Sequence, residues 1–515
     1  MPKNFIPCDR DQQQLLPPSL TDWLPEDHLV WFVIDAVTRL DLSDFYGRHR
    51  DDGWGRAAFD PAMMVTLLLY AYALGVRSAR EIERRVSDDV AMRVITAGEH
   101  PDHSTISRFR TRHREALSGL FEDVVGLCVE AGMVRPGIVA IDGTKLGANA
   151  SPARNLTREQ LADYARRVFD EAEAIDAEED ELYGDARGDE LPEHLRKRSD
   201  RIEWLDEKLA ERQAASDAGT PPSKRRKARI NTTDPDSRMQ KVPGGFVQGY
   251  NAQAAVTEDQ IFIAALLTAD NNDVSQLEPM ITQSKSTLEA AGARSSIGTV
   301  VADAGYLSDD NVHLDLGCEL LISPARRRDL EAAIEDRDQS LDDRLESFAA
   351  QRRRWQNRHD AARRRAARRA EMLDACEAGS VTVTEAAQVV GLPVPYLRWL
   401  KWHYRKFGSL PPARFPMPPP LPGPKEIMLS RFSQPGARVT YGARQTMVEP
   451  VFGQLKEARG MRRLLHRGLD ACSSEWRMMA TAHNLRKLWL NDRRAPGFLA
   501  HVMRWFGSGR LAFGV

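Results

Sequence analysis

GIVAIDG, residues 137–143, is a short apolar, β-branched run that ends in an aspartate and a glycine. It reads as a buried strand delivering the carboxylate of Asp142 at its end. The pattern returns at SIGTVVADAG, residues 296–305, where Asp303 closes the run. Between the two, GGFVQGYNAQAAV (244–256), the polar turn TEDQ and IFIAALLTA (261–269) predict a β-hairpin. Asp273 is placed to cap a helix running through Ala291, and ELLIS (319–323) supplies a fifth strand. The expected order is strand, insertion, strand, strand, helix, strand, short helix, strand, which is an α/β arrangement.

The flanks are helical. Residues 1–135 read as an all-helical N-terminal domain. In it Ser104 or Thr105 caps a long helix ending near Gly132, whose first turns carry Arg108 and Arg110. That basic face is either a DNA-contacting element of a helix-turn-helix-like arrangement or a solvated surface. The first part of the α/β domain spans 136–329 and is interrupted by a charged helical insertion, 150–235. There Leu191, Leu195, Ile202, Leu205 and Leu209 form a narrow apolar stripe, the mark of a helical hairpin. A second helical insertion, 330–430, contains a helix-turn-helix-like segment at 381–408. Thr382 and Glu385 form its capping box, Gly391 its stop and Pro395 its restart. Leu397, Leu400 and Tyr404 face inward there, and Arg398, Lys401, Arg405 and Lys406 outward. The Pro-rich stretch 411–424 reads as a stiff linker. Residues 431–492 complete the α/β domain, and 493–515 form a tail.

Composition excludes some classes. Lys plus Arg number 72 against 74 for Asp plus Glu, so net charge predicts no partner. Local fields differ: 170–190 is acidic, while 224–229 and 351–370 are strongly basic. The five cysteines are scattered without a CxxC pair, which points to a reducing compartment and away from a zinc ribbon. The N-terminus lacks the apolar core of a signal peptide. The most apolar run, 62–76, falls short of the roughly 20 residues that span a bilayer, so it reads as a buried helix. The expectation is a cytoplasmic protein, nucleoid-associated when bound to DNA, with no membrane contact.

The third carboxylate comes from RVTYGARQTMVEPVFGQLKEARGMRR, residues 438–463, where Glu449 sits among bases. Two aspartates and a glutamate make an oxygen-rich set suited to Mg2+ or Mn2+, and such a set can hold two ions for phosphodiester chemistry. Each acid also has a plain structural reading. Asp-Gly is a turn signal, and Thr446-x-x-Glu449 fits a capping box with Pro450 in the first turn. Lys456 lies two helical turns beyond Glu449 on the same face.

AIDGTK (140–145), GYNAQAAV (249–256), VVADAGYLS (300–308) and VEPVFGQLK (448–456) together resemble the bacterial insertion-sequence transposases of the DDE type. The likeness continues through 459–488. Tyr441, Arg444, Glu449 and Lys456 resemble the signature of the branch marked by tyrosine, arginine, glutamate and lysine. The gap between Arg444 and Glu449 is four residues, where that pattern has three. The resemblance implies a ribonuclease H-like mixed sheet flanked by helices, with Asp142, Asp303 and Glu449 as catalytic, metal-binding triad. It implies phosphate contacts by Arg444 and Lys456 and strand positioning by Tyr441; the basic surroundings of Glu449 themselves make Arg459, Arg462 and Arg463 further candidates to hold a nucleic-acid backbone. The implied partners are double-stranded DNA, as transposon ends and as target, and further copies of the chain on paired ends.

Overall fold

The computed structural model describes residues 19–48, 58–167, 193–218, 227–325, 329–330, 334, 341–407 and 423–494. Contacts divide the chain into two compact units. One comprises Met1–Tyr306, His313–Ile322 and Arg438–Val515, the other Leu307–Val312 and Ser323–Ala437.

The first unit is built on strands β1 (Ile138–Gly147), β2 (Asn155–Leu156), β3 (Ile230–Asn231), β4 (Arg238–Val242), β5 (Gly245–Thr257), β6 (Phe262–Thr268), β7 (Thr299–Ala302) and β8 (Glu319–Ile322). The main sheet runs β4-β5-β1-β7-β8, with β6 beside the other half of β5. β1 is antiparallel to β5 and parallel to β7, and β8 is parallel to β7. The mixed sheet and its strand sequence agree with the order expected from the sequence, with β4 as an addition.

One expectation needs correcting. The first strand does not stop at Asp142. β5 is long enough to pair with β1 as far as Gly147↔Gly249, so β1 continues as a ribbon after β7 has ended opposite Ile141. Asp142 is therefore mid-strand, at the point where the β1–β7 pairing runs out and beside the residue that follows β7. That residue is Asp303.

The N-terminal helices are α1 (Leu29–Thr38), α2 (Ser43–Tyr46), α3 (Pro61–Ala73), α4 (Ala79–Asp88), α5 (Val90–Ile95), α6 (His103–Arg112) and α7 (Arg114–Glu130). Asp60 caps α3 by accepting from the amides of Ala62 (2.7 Å) and Met63 (3.3 Å), and Pro61 opens it. From Met64 to Ala73 every residue of α3 is buried, as a uniformly apolar run predicts. The long helix expected from 104 to 132 is two helices. Asp102 rather than Ser104 or Thr105 is the cap, and the chain breaks at His113, whose buried ring stacks on Phe45 and lies tilted against Phe109.

The first insertion closes on itself. β2 pairs with β3 at its base, α8 (Glu193–Asp217) lies between them in the chain, and Leu161, Leu205, Leu209 and Ile230 form its core. Residues 168–192, including Leu191, lie outside the described residues. Helix α9 (Leu277–Ala290) then packs on β6 and α7.

The second unit holds α10 (Asp309–Val312), α11 (Leu341–Glu377), α12 (Val383–Val390), α13 (Val394–Phe407) and α14 (Pro424–Phe432). The Thr382–Glu385 capping box is present and Gly391 turns the chain at φ +65°. Leu397 and Leu400 are buried with Leu373 and Ala386, and Tyr404 packs against them, as the periodicity predicts. Two of the four cations expected to face outward are tied back. Lys401 donates to the Cys376 carbonyl (3.0 Å) and Arg405 pairs with Glu377 (2.8 Å), because the end of α11 presents free carbonyls and a carboxylate there. The linker prediction, 411–424, falls outside the described residues except at its end, where Pro424 opens α14.

The chain then returns to the first unit through α15 (Ala437–Gly442), α16 (Arg444–Gly453) and α17 (Leu469–Arg494). α17 packs on α3 and α7 on the one hand and on β6 on the other, so the N-terminal helices and the sheet share it. Its Asn484 closes both polar groups of Phe262, accepting from the amide and donating to the carbonyl at 2.9 Å each. A buried ion pair locks the junction. Arg77, after α3, reaches Glu475 on α17 at 2.6 Å, with the two side chains 7% and 0% exposed. Glu475 also accepts from the amides of Leu465 (2.8 Å) and His466 (3.1 Å). Burial alone raises the Glu475 carboxyl, but His466 and Arg77 hold it below the usual range.

Removing one partner of such a pair strands the other charge, at a cost of about 3–5 kcal/mol. Arg77→Met is therefore expected to lower the urea midpoint by a corresponding amount; an unchanged midpoint would show that the pair is not the lock.

Candidate active site

β1 places Asp142, the residue after β7 is Asp303, and α16 carries Glu449. All three point at one guanidinium. Arg444 Nη2 lies 2.6 Å from Asp142 and 3.9 Å from Asp303, and its Nη1 lies 3.6 Å from Glu449. Arg444 is largely buried. Asp142 is less exposed than the other two acids, and burial pushes its carboxyl up to about 7, with Asp303 adding to the rise and Arg444 opposing it. Burial lowers Arg444, yet the charges of Asp142 and Asp303 more than offset this, so it stays fully cationic.

Glu449 is not a cap. α16 begins at Arg444 with Ala443 before it, Glu449 is inside the helix, and the Thr446 hydroxyl donates to Ala443 instead (2.9 Å). Pro450 is likewise interior, not in the first turn. It has no N–H to offer the Thr446 carbonyl, and the Gln260 side chain fills the vacancy at 2.7 Å. Gln260 sits at the tip of the β5–β6 hairpin with φ +62°. It also binds His483 through its carbonyl (3.0 Å) and Gln454 and Lys487 through its side chain (3.2 and 2.5 Å). A strained tip is thus held by both helices and fixes where Glu449 stands. Beyond Gly453 the helix widens into a π-helical turn, Gln454–Ala458. Its Lys456 donates to the Lys145 carbonyl on β1 (2.9 Å), which brings it to the same strand as Asp142.

The other residues expected to contact DNA differ in their surroundings. Tyr441 is buried near Arg444. Arg459 packs against Gly75, and its Nη1 is buried without a hydrogen-bond partner, so it is not a surface base. Arg463 spends its guanidinium on the Ala148 carbonyl (3.0 Å) and Asn149 (2.9 Å), while Arg462 pairs with Glu457. Arg110 braces the Arg77 carbonyl (2.7 Å), whereas Arg108 is exposed on α6.

Sequence reasoning missed a fourth acid. Asp273, read as a helix cap, makes no side-chain cap. Its Oδ1 accepts from Asn251 (2.6 Å) and Gln253 (2.8 Å) and lies 3.6 Å from the Lys145 ammonium. Gln253 in turn accepts from the buried Tyr306 hydroxyl. This network forms the floor of the site and explains the two motif glycines. A Cβ on Gly143 would lie 2.5 Å from Gln253 Nε2 and 2.6 Å from Asp273 Oδ1; one on Gly305 would lie 2.9 Å from Asp303 Oδ1 and 3.3 Å from Asp273 Oδ2. The pairing of AIDG with ADAG was the available signal: both glycines border the same carboxylate.

The donor set is all oxygen, which suits hard divalent cations. Its three members already converge on one positive charge from three separate elements. Among the described residues no three acidic, His or Cys side chains form a preassembled ion cage, since Arg444 takes the centre.

Two family models match the chain. One, described as Transposase domain (DUF772), matches residues 18–112. The other, described as Transposase DDE domain, matches residues 421–489, the stretch that carries Arg444 and Glu449. Together they support an insertion-sequence DDE transposase. The DDE match falls on the helix that completes the carboxylate trio. No curated protein and no solved structure matches. Among the described residues no helix is long and apolar enough to cross a membrane.

Gly143→Ala is expected to cost about 1–3 kcal/mol, as overpacking against fixed polar groups does. Gly137→Ala, where nothing lies within 4 Å of the new methyl, serves as the control and should be near neutral. Equal melting temperatures for the two variants would contradict the packed floor.

Proposed function

We propose that the protein is a DNA transposase that binds the terminal inverted repeats of an insertion sequence, cuts at the element's ends and joins them to target DNA. The observation that carries this reading is the convergence of Asp142, Asp303 and Glu449 on Arg444 within 4 Å. The strand order, with β5 and β6 antiparallel on one side of β1 and β7 and β8 parallel on the other, supports a ribonuclease H-like catalytic domain. Arg444 and Lys456 beside the trio support the tyrosine, arginine, glutamate and lysine branch.

Asp142, Asp303 and Glu449 would hold two divalent ions, Mg2+ or Mn2+, which when bound activate the attacking oxygen and stabilise the leaving one. The chain's own residues prepare that chemistry. Arg444 presents a planar fork of donors that suits a phosphate as well as a carboxylate. It is the shared counterion of the trio, and a backbone phosphate entering the site would compete for it. Lys145 and Lys456 keep two further cations along β1, both lowered by burial. In the first step water attacks phosphorus and the bond to the 3′ oxygen breaks, leaving a 3′-OH. In the second that hydroxyl attacks a target phosphodiester and displaces its 3′ oxygen. Both are in-line displacements without a covalent enzyme intermediate.

A second reading, a relative that binds DNA without cutting it, is favoured by the position of Arg444 at the centre of the trio. Incubating the protein with Mg2+ and a labelled fragment from the end of its element separates the two. Cleavage and joining are expected, with Asp142→Ala, Asp303→Ala and Glu449→Ala each abolishing both while end binding persists. Full cleavage by any of these variants, or binding without cleavage by the unaltered protein, would sink the transposase reading.

A further inference from the structure

We infer that α11 (Leu341–Glu377) of the second unit is a second, sequence-independent DNA-binding element that lies along a duplex and grips its phosphates. This rests on the reading of the chain as a DNA enzyme, and it concerns a surface outside the carboxylate site. Positions 352–354, 358, 363–365 and 368 are all arginine and all exposed. Asp360 is the single acidic residue between 352 and 369, so this is not the mixed-sign surface of an ordinary solvated helix. No ion pair to these arginines occurs among the described residues.

Their directions say what they fit. At 100° per residue the eight spread over more than half of the helix circumference. The sector without arginine is marked by Trp355, His359, Ala362, Ala366 and Leu373. Trp355 and His359 stack there at 4.9 Å, and Leu373 is buried in the unit's core. A helix packed along that seam leaves cations on both flanks. A B-form major groove, about 12 Å wide, admits one helix and sets a phosphate ridge on each side of it. The arginine stretch is roughly 24 Å long at 1.5 Å per residue, or about seven base pairs. The A-form major groove of duplex RNA is too deep and narrow for this fit.

Fluorescence anisotropy with the full-length protein and a labelled random-sequence DNA duplex, measured over a salt series, tests the inference. The quadruple variant Arg363→Gln, Arg364→Gln, Arg365→Gln, Arg368→Gln keeps good helix formers. It is expected to bind at least about tenfold more weakly, and the slope of log affinity against log salt should shrink by roughly three to four, near 0.9 per phosphate contact. The corresponding lysine quadruple should retain most of the slope, which separates lost charge from lost fold. Unchanged binding by the glutamine variant, equal loss in both quadruples, or an RNA duplex bound as tightly as the DNA would overturn the inference. End cleavage is scored separately: a protein that cuts its ends while the glutamine variant binds random DNA normally overturns this inference alone.

Discussion

Burying the carboxylate of Asp142 between strands is costly unless a cation is buried with it, and Arg444 is that cation. The rest of the first unit is arranged around this requirement. The guanidinium arrives on a helix 302 residues away in sequence, and that helix must be held in place from several sides. The Gln260 hairpin tip supplies the hydrogen bond that Pro450 cannot make. Lys456 closes on the β1 backbone. Once Arg444 is seated, Asp303 and Glu449 are brought to the same charge, and three acids that would repel one another share one counterion.

The parts of the fold legible in the sequence were those governed by local pattern. The apolar runs before Asp142 and Asp303, the hairpin around TEDQ, the fully apolar helix after Asp60 and the Thr382 capping box all follow from short-range chemistry, and all are present. What escaped notice depends on partners distant in the chain. β1 outruns Asp142 because β5 is long, which no window around residue 142 reveals. The helix after Asp102 breaks at His113, whose ring packs with both Phe45 and Phe109. An aspartate before a helix is usually a cap, but the role of Asp273 is set by the distant Asn251, Gln253 and Lys145.

The basic residues teach the same lesson. Of the cations near Glu449 in sequence, several make their contacts within the protein. Arg463 binds Ala148 and Asn149, Arg459 is packed against Gly75, and Arg110 braces the backbone behind Arg77. A guanidinium has five donors, and buried carbonyls at helix ends and strand edges compete for them. Eight arginines of α11, at positions 352–354, 358, 363–365 and 368, are by contrast exposed. Local sequence charge therefore locates the field, but burial decides which residues project it.

On the proposed function, Asp142, Asp303 and Glu449 form one site able to exchange Arg444 for divalent cations. Replacing Mg2+ with Fe2+ and generating hydroxyl radicals with ascorbate and peroxide cleaves a polypeptide next to bound iron, and the fragments can be mapped by mass. Breaks are expected to cluster beside residues 142, 303 and 449, to be suppressed by excess Mg2+ and to be lost together in Asp142→Asn. Breaks confined to other segments, or a pattern that Asp142→Asn leaves intact, would contradict it.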